Sequence, residues 1–247
     1  MTKKEIELVL NEIFDPYILG DENKLPPLSK APTFKEIKEL IELMIADRNE
    51  ESFQSFLSRH SHFLFRLAPW TEESVLGMLT KLPISNFNFS DFAIFTVSQG
   101  GCRLTLIEIE RPNDKLFTQK LTPAKKLQTA IGQIHDWDEW LKGNFTSFLN
   151  TAFRKLEECK PYSENKRITG SFINASMKEL KNVWQGFGGN ESCRIDYLII
   201  IGRWSKLTDR EKKRLLYLNQ TKDGLNLRIR TYDNFIRKAI EGPNIFW

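Results

Sequence analysis

Two glutamates, Glu108 and Glu110, stand one residue apart at the end of the apolar run CRLTLIEIE, Cys102 to Glu110. Asp91 opens a second run, DFAIFTV, Asp91 to Val97. Both runs are rich in β-branched and aromatic residues, as strands are. The link Ser98-Gln99-Gly100-Gly101 reads as a hairpin turn. Side chains alternate along a strand, so Glu108 and Glu110 share a face with Leu104 and Leu106. A two-residue loop at Gln99-Gly100 or at Gly100-Gly101 sets Asp91 opposite Glu108 or Glu110. In both registers the three carboxylates share one face, and a one-residue slip separates them.

Carboxylates crowded on apolar strands repel one another and lose hydration. A hard divalent cation relieves both effects. Mg²⁺ takes one or two carboxylates plus phosphate oxygens of a substrate. A cation held this way polarises a phosphodiester and lowers the pKa of an attacking water. The pattern therefore suits phosphodiester hydrolysis. It equally fits glutamates that alternate with core residues on a half-exposed strand. Glycosidases also use paired acids, but no aromatic-rich sugar platform accompanies these.

Other chemistries find little support. His60 and His62 read as surface or helix-end residues, because no set of cysteines and histidines has metal-ligand spacing. His135 stands about 200° around its helix from Gln133. The loop Gly186 to Gly189 follows a helix and precedes a strand, the reverse of a phosphate-binding loop. Trp137, Trp140 and Trp184 read as packing residues. Arg203 and Trp204 follow a central strand, where a sheet often meets its ligand, so Arg203 is a candidate phosphate contact.

The positioning elements follow from periodicity. Thr2 to Phe14 and the segment after Thr33 read as short helices, the second opened by a capping box of Thr33 and Glu36. A Pro-rich linker, broken by Pro26, Pro27 and Pro32, joins them. Phe53, Phe56, Leu57, Phe63 and Leu64 give a helical apolar face from Asn49 onward. A helix capped by Thr122, with Pro123 in its first turn, ends near Gly143, and its stripe is Leu127, Ile131, Ile134 and Leu141. Two helices, near Phe148 to Glu158 and near Met177 to Trp184, are expected next. Ile195 to Ile201 is apolar on both faces, as a central strand is. Thr208 and Glu211 cap a helix to about Asn219, followed by a strand, Leu225 to Ile229, and a helix, Tyr232 to Ile240. The sum is an α/β fold with a mixed central β-sheet flanked by helices. A helical extension over residues 1–48 precedes a main domain over 49–247.

Composition fits this reading. The 247 residues are 40% hydrophobic and 28% charged, with net charge +4, a soluble profile that permits phosphate binding without demanding it. No run is long and apolar enough to span a membrane. The N-terminal segment reads as an amphipathic helix, not a signal peptide. Three scattered cysteines form no disulfide framework, so a cytoplasmic location is expected.

Asp91 followed by Glu108-Ile109-Glu110 resembles the D…ExK core of the PD-(D/E)XK nucleases. The stretches EESFQSFLSRHSHFL, SDFAIF, LIEIERPNDKLFT, AIGQIHDW, IIIGR and RTYDNF, in this order, resemble the nuclease domain of the Shedu anti-phage defence family. The resemblance implies a restriction-endonuclease-like fold and metal-dependent cleavage of DNA with Mg²⁺, or Mn²⁺ in its place. It implies that Asp91 and Glu108 bind the metal, completed by the backbone carbonyl of Ile109. Glu51 would be the auxiliary carboxylate, with Glu50 as its neighbour, and Gln133 would face the site or substrate phosphate. Arg111, Lys120 and Arg203 are the candidate DNA contacts. The pattern departs from the family at Glu110, where a lysine ordinarily orients the attacking water. Arg111, Lys115 or Lys120 are the cations at hand to compensate. With Glu110 there, a nuclease-like domain that binds nucleic acid or scaffolds a complex without cutting is the alternative. The short N-terminal helices are marginal alone, and the family resemblance suggests assembly. A dimer or tetramer is expected, so sedimentation should give a mass well above the 28.9 kDa of one chain.

Overall fold

The computed structural model describes residues 32–66, 74–85, 88–98, 101–158, 193–220 and 224–241. The helices expected over Thr2–Phe14 and Met177–Trp184, the Pro-rich linker and the loop Gly186–Gly189 lie outside the described residues.

Three helices come first: α1 (Phe34–Ile45), α2 (Glu50–Arg59) and the single turn α3 (His62–Phe65). Strands β1 (Ser74–Pro83), β2 (Phe89–Ser98) and β3 (Gly101–Ile109) follow, then helix α4 (Lys125–Glu158). Strand β4 (Arg194–Ile200), helix α5 (Asp209–Gln220), strand β5 (Leu227–Arg230) and helix α6 (Tyr232–Glu241) complete the described chain. The sheet order is β1-β2-β3-β4-β5. The first three strands pair antiparallel, and β3, β4 and β5 pair parallel. The mixed α/β sheet with flanking helices thus stands as the sequence implied.

Alternation divides the sheet between two cores. Ala93, Phe95, Leu104, Leu106, Tyr197 and Ile199 face α4, which covers them with Leu127, Ala130, Ile134, Trp137 and Phe148. Phe92, Ile94, Ile107, Ile109, Leu198 and Ile200 face the other way, under α1, α2, α3 and α6. The central strands β2, β3 and β4 are therefore covered on both faces, which explains their apolar runs. The capping boxes at Thr33/Glu36 and Thr208/Glu211 are both formed.

Three features depart from the sequence reading. Strand β1 was not anticipated. Its alternation is broken by a bulge between Val75 and Gly77 and by Lys81, whose φ is +48°, and Pro83 is tolerated because β1 is an edge strand. Helix α4 does not end at Gly143 but runs unbroken through the segment read as a second helix. Its second half packs Phe148, Leu149, Ala152, Phe153 and Leu156 into the core, and that burial outweighs the roughly 1 kcal/mol cost of a helical glycine. Thr122 does not cap this helix. Its hydroxyl meets that of Thr118 at 2.7 Å and its carbonyl accepts from the Thr118 amide at 2.9 Å, closing the preceding loop instead.

Gly202 follows β4 with φ +64°. A Cβ there would meet Leu116 Cδ1 at 2.1 Å and the Asp114 carbonyl oxygen at 2.9 Å. Its amide donates to the Arg111 carbonyl, and its carbonyl accepts from the Tyr232 amide, so it ties three loops below the sheet's end. Gly143 has open space around it. Gly202→Ala should destabilise the protein by more than about 1–2 kcal/mol, from the left-handed backbone alone. Gly143→Ala should stabilise it by roughly 0.5–1 kcal/mol. Thermal melts of the two variants against wild type check both signs.

Candidate active site

The hairpin pairs Phe92 with Ile107 and Ser98 with Gly101. One step further in this register sets Asp91 against Glu108, the arrangement of a two-residue Gln99-Gly100 loop. Asp91 lies on the Ala93 side of β2, and Glu108 and Glu110 continue the Leu106 side of β3. The three carboxylates thus come together at the carboxyl end of β3. All three are buried, at 4%, 8% and 4% exposure.

Asp91 is the most connected of them. Its Oδ2 accepts from the Ile109 amide at 2.8 Å. Its Oδ1 accepts from Gln54 Nε2 at 2.8 Å and from Lys81 Nζ at 2.5 Å. The same Gln54 nitrogen donates to Glu50 Oε1 at 2.8 Å, so a fourth carboxylate joins from α2. Lys126, in the first turn of α4, places Nζ 3.0 Å from Glu110 Oε2. The Tyr232 hydroxyl donates to the Glu110 carbonyl at 2.8 Å, and the Glu110 amide donates to Ile200, which together fix the backbone where β3 ends.

Glu110 Oε2 is buried without a hydrogen-bond partner but has Lys126 Nζ at 3.0 Å, whereas Glu108 Oε2 is buried with neither among the described residues. Burial, and then the charges of Asp91, Glu50 and Glu110, push the Glu108 carboxyl up to about 9. Burial also raises Glu50, with Asp91 and Glu110 adding to it. Burial raises Glu110 as well, partly offset by the hydrogen bond from Lys126. A buried carboxylate with an orphaned oxygen among three others is a hard-oxygen donor set short of positive charge. Asp91 and Glu108, with Glu50 or Glu110 in support, are the residues that could hold a divalent cation; their oxygens are near enough to act on one another's charge but do not form a set within 4.8 Å of one another.

The other expected residues are placed as follows. Glu51 is exposed, and it is its neighbour Glu50 that enters the cluster. On α2, Glu50 and Gln54 share one face while Glu51 is turned about 100° away. Ile109 meets the site through its amide, and its side chain belongs to the core under α2. Gln133 is half-buried on α4, two turns beyond Lys126 on the same face, and is not hydrogen-bonded to the carboxylates. Arg111 is turned to Asp114, with Nη2 2.8 Å from Oδ1. Lys120 and Arg203 line one cleft of about 760 Å³ together with Lys115, Lys206 and Arg210. Arg203 is held inward, 3.5 Å from Asp233. Sequence reading missed Gln54, Lys81 and Lys126. Only the i,i+4 spacing of Glu50 and Gln54 on an amphipathic helix hinted at the first, and no local pattern marks the two lysines.

A five-stranded mixed sheet with buried carboxylates gathered at one strand end defines an α/β protein built around a candidate cation site. The chain belongs to the Shedu protein SduA C-terminal domain family, whose model matches residues 47–236, the anti-phage defence nuclease domain that the sequence resembled. No curated protein shows significant similarity to the chain.

Because the folded Glu108 titrates above its ordinary value, it binds its proton more tightly in the folded than in the unfolded state. Stability without divalent ions is therefore fullest below about pH 4.5 as far as this group is concerned. It falls as pH rises from there toward about 9. Melting temperatures across this range in EDTA should decline for wild type and decline less for Glu108→Gln. Mg²⁺ or Mn²⁺ should recover the loss at pH 8 in wild type only.

Proposed function

We propose that this chain is a metal-dependent endonuclease of PD-(D/E)XK type that hydrolyses DNA phosphodiesters in defence against phage. The observation that carries the proposal is the orphaned, buried Glu108 within a cluster of Asp91, Glu50 and Glu110. Family membership over residues 47–236 supports it. A bound Mg²⁺ or Mn²⁺ supplies Lewis-acid polarisation of the phosphate and a water of lowered pKa.

The protein's own groups do the rest. The Ile109 amide and Gln54 hold Asp91 in one orientation, and Gln54 holds Glu50 beside it. Glu110 occupies the usual lysine position but has a lysine, Lys126, 3.0 Å from its Oε2. Lys126 is half-exposed, so its ammonium faces both the carboxylate and solvent. It is placed to orient a water or to meet negative charge that develops on the phosphate. The cleft with Lys115, Lys120, Lys206 and Arg210 offers the backbone of DNA a run of cations beyond Glu110.

The second reading is a domain that binds nucleic acid without cutting it. The Lys81–Asp91 pair at 2.5 Å favours this reading, since it neutralises one carboxylate without any ion. Plasmid nicking with Mg²⁺, Mn²⁺ or EDTA separates the two. Cleavage should require the metal and fall more than about 100-fold in Glu108→Gln, beyond the 10–100-fold typical of outer-shell changes. Lys126→Ala should lower kcat by about 10²–10³-fold with DNA affinity little changed. Glu50→Gln should be more damaging than Glu51→Gln. Nicking that persists in EDTA, or in Glu108→Gln, places the chemistry elsewhere.

A further inference from the structure

Sequence spacing left His60 and His62 as surface or helix-end residues. The structure keeps them at helix ends but not at the surface. His60 is the C-cap of α2 and His62 opens α3. Their side chains are 15% and 11% exposed. Both turn toward Glu36 of α1, whose carboxylate is also buried.

The three side chains converge. His60 Nδ1 lies 3.3 Å from Glu36 Oε1, and His62 Nε2 lies 3.2 Å from Glu36 Oε2. One ligand atom from each residue falls within 4.8 Å of the other two. Neither ring nitrogen of His60 makes a hydrogen bond, although each faces a carboxylate. Two buried imidazole nitrogens aimed at carboxylates without bonding them lack the partner that buried polar atoms ordinarily have. A tetrahedral Zn²⁺ has ligand bonds of about 2.0–2.2 Å, so its neighbouring ligand atoms sit roughly 3.3 Å apart. The His60 Nδ1–Glu36 Oε1 separation matches that spacing, and His62 Nε2 is hydrogen-bonded at 3.2 Å to the other oxygen, Oε2, so each ring meets its own edge of the carboxylate.

The surroundings are those of a supported ligand set. The Thr33 amide and hydroxyl hold Glu36 Oε2 at 2.7 and 2.9 Å, so the carboxylate is fixed by the capping box before any ion arrives. The His60 ring packs on Phe56 with centroids 4.5 Å apart. On the far side, His60 Nε2 faces Glu39 Oε2 at 3.7 Å, and Arg59 holds Glu39 at 2.9 Å. At 3.7 Å this is a charge contact and not a hydrogen bond; Glu39 favours a proton on Nε2 through its charge, which leaves Nδ1 to ligate.

We propose that Glu36, His60 and His62 form a Zn²⁺ site with Glu39 orienting His60, and that the ion clips α1 to the turn between α2 and α3. Two imidazoles and a carboxylate suit zinc and leave a fourth position for water. The carboxylate cluster around Asp91 has oxygen donors only and suits Mg²⁺, so the two sites are chemically distinct. Helix α1 precedes residues 47–236, the stretch that matches the family. The clip therefore joins this chain's own N-terminal segment to the family domain.

The test uses the full chain, stripped with EDTA and then titrated with Zn²⁺ against a chromophoric chelator. One Zn²⁺ per chain should bind at micromolar concentration or tighter. Co²⁺ in its place should give the visible absorption of a low-coordinate, nitrogen-ligated ion. Saturating Zn²⁺ should raise Tm by at least about 4 °C. His60→Asn and His62→Gln should each weaken binding more than 100-fold, and Glu39→Gln by roughly 10–100-fold. Glu108→Gln should retain it, and His60→Asn should leave DNA cleavage unchanged. Should His62→Gln fail to fold, by circular dichroism, the partly exposed His60 variant and the wild-type Co²⁺ spectrum decide. Wild type without stoichiometric zinc overturns the proposal. So does zinc that survives His60→Asn but is lost in Glu108→Gln, because that ion belongs to the carboxylate cluster.

Discussion

The Asp91 carboxylate binds four elements of the fold to one another. It sits on β2, accepts the Ile109 amide of β3, and receives Gln54 from α2 and Lys81 from β1. A buried carboxylate without such donors costs several kcal/mol. With them, it fixes where β3 ends, how far α2 reaches over the sheet, and how the edge strand closes. The neighbouring Glu108 has no comparable set of donors, and the contrast between the two acids defines the site. One is satisfied by protein groups, and the other stays short of positive charge until a proton or a cation supplies it.

Two lysines reach the carboxylate cluster from other elements of the fold. Lys126 arrives from the first turn of α4 and Lys81 from β1. A cation is defined by where its charge lies, not by the strand that carries it. A side chain as long as lysine reaches the same point from several backbone positions. Glu110 pairs with Lys126 at 3.0 Å. Lys81 adopts a left-handed backbone to make its contact, a conformation that costs roughly 1–2 kcal/mol in a non-glycine residue. Its ammonium, more than half exposed, meets the buried Asp91 carboxylate.

The far face of the sheet shows the same economy of position. Helix α1 buries Ile37, Leu40, Ile41 and Met44 against α2, α3 and α6. The expected boundary near residue 48 therefore runs through a shared apolar layer in the folded chain. The polar residues of that layer, Glu36, His60 and His62, lie where three helix ends meet. Helix ends carry the unsatisfied backbone groups that attract polar side chains, and here those side chains come from two separate stretches of sequence.

How much of this was legible in the sequence depends on the range of each interaction. The hairpin, the shared face of Asp91, Glu108 and Glu110, the double-sided burial of β4 and the capping boxes at Thr33 and Thr208 all follow from period-two alternation or from hydrogen bonds three residues long. The residues themselves determine such features. Strand β1 was hidden because Gly77 and Lys81 break its alternation. The continuation of α4 through Gly143 was hidden because burial of Phe148, Leu149 and Phe153 outweighs local propensity. Tertiary structure alone chose Glu50 over Glu51, since one residue turns a helix by about 100° and only packing sets that phase. It alone brought Lys81, Lys126 and the His60–His62 pair to their carboxylates. These contacts join residues that are distant in the chain, and no local rule reports how far apart the fold will leave them.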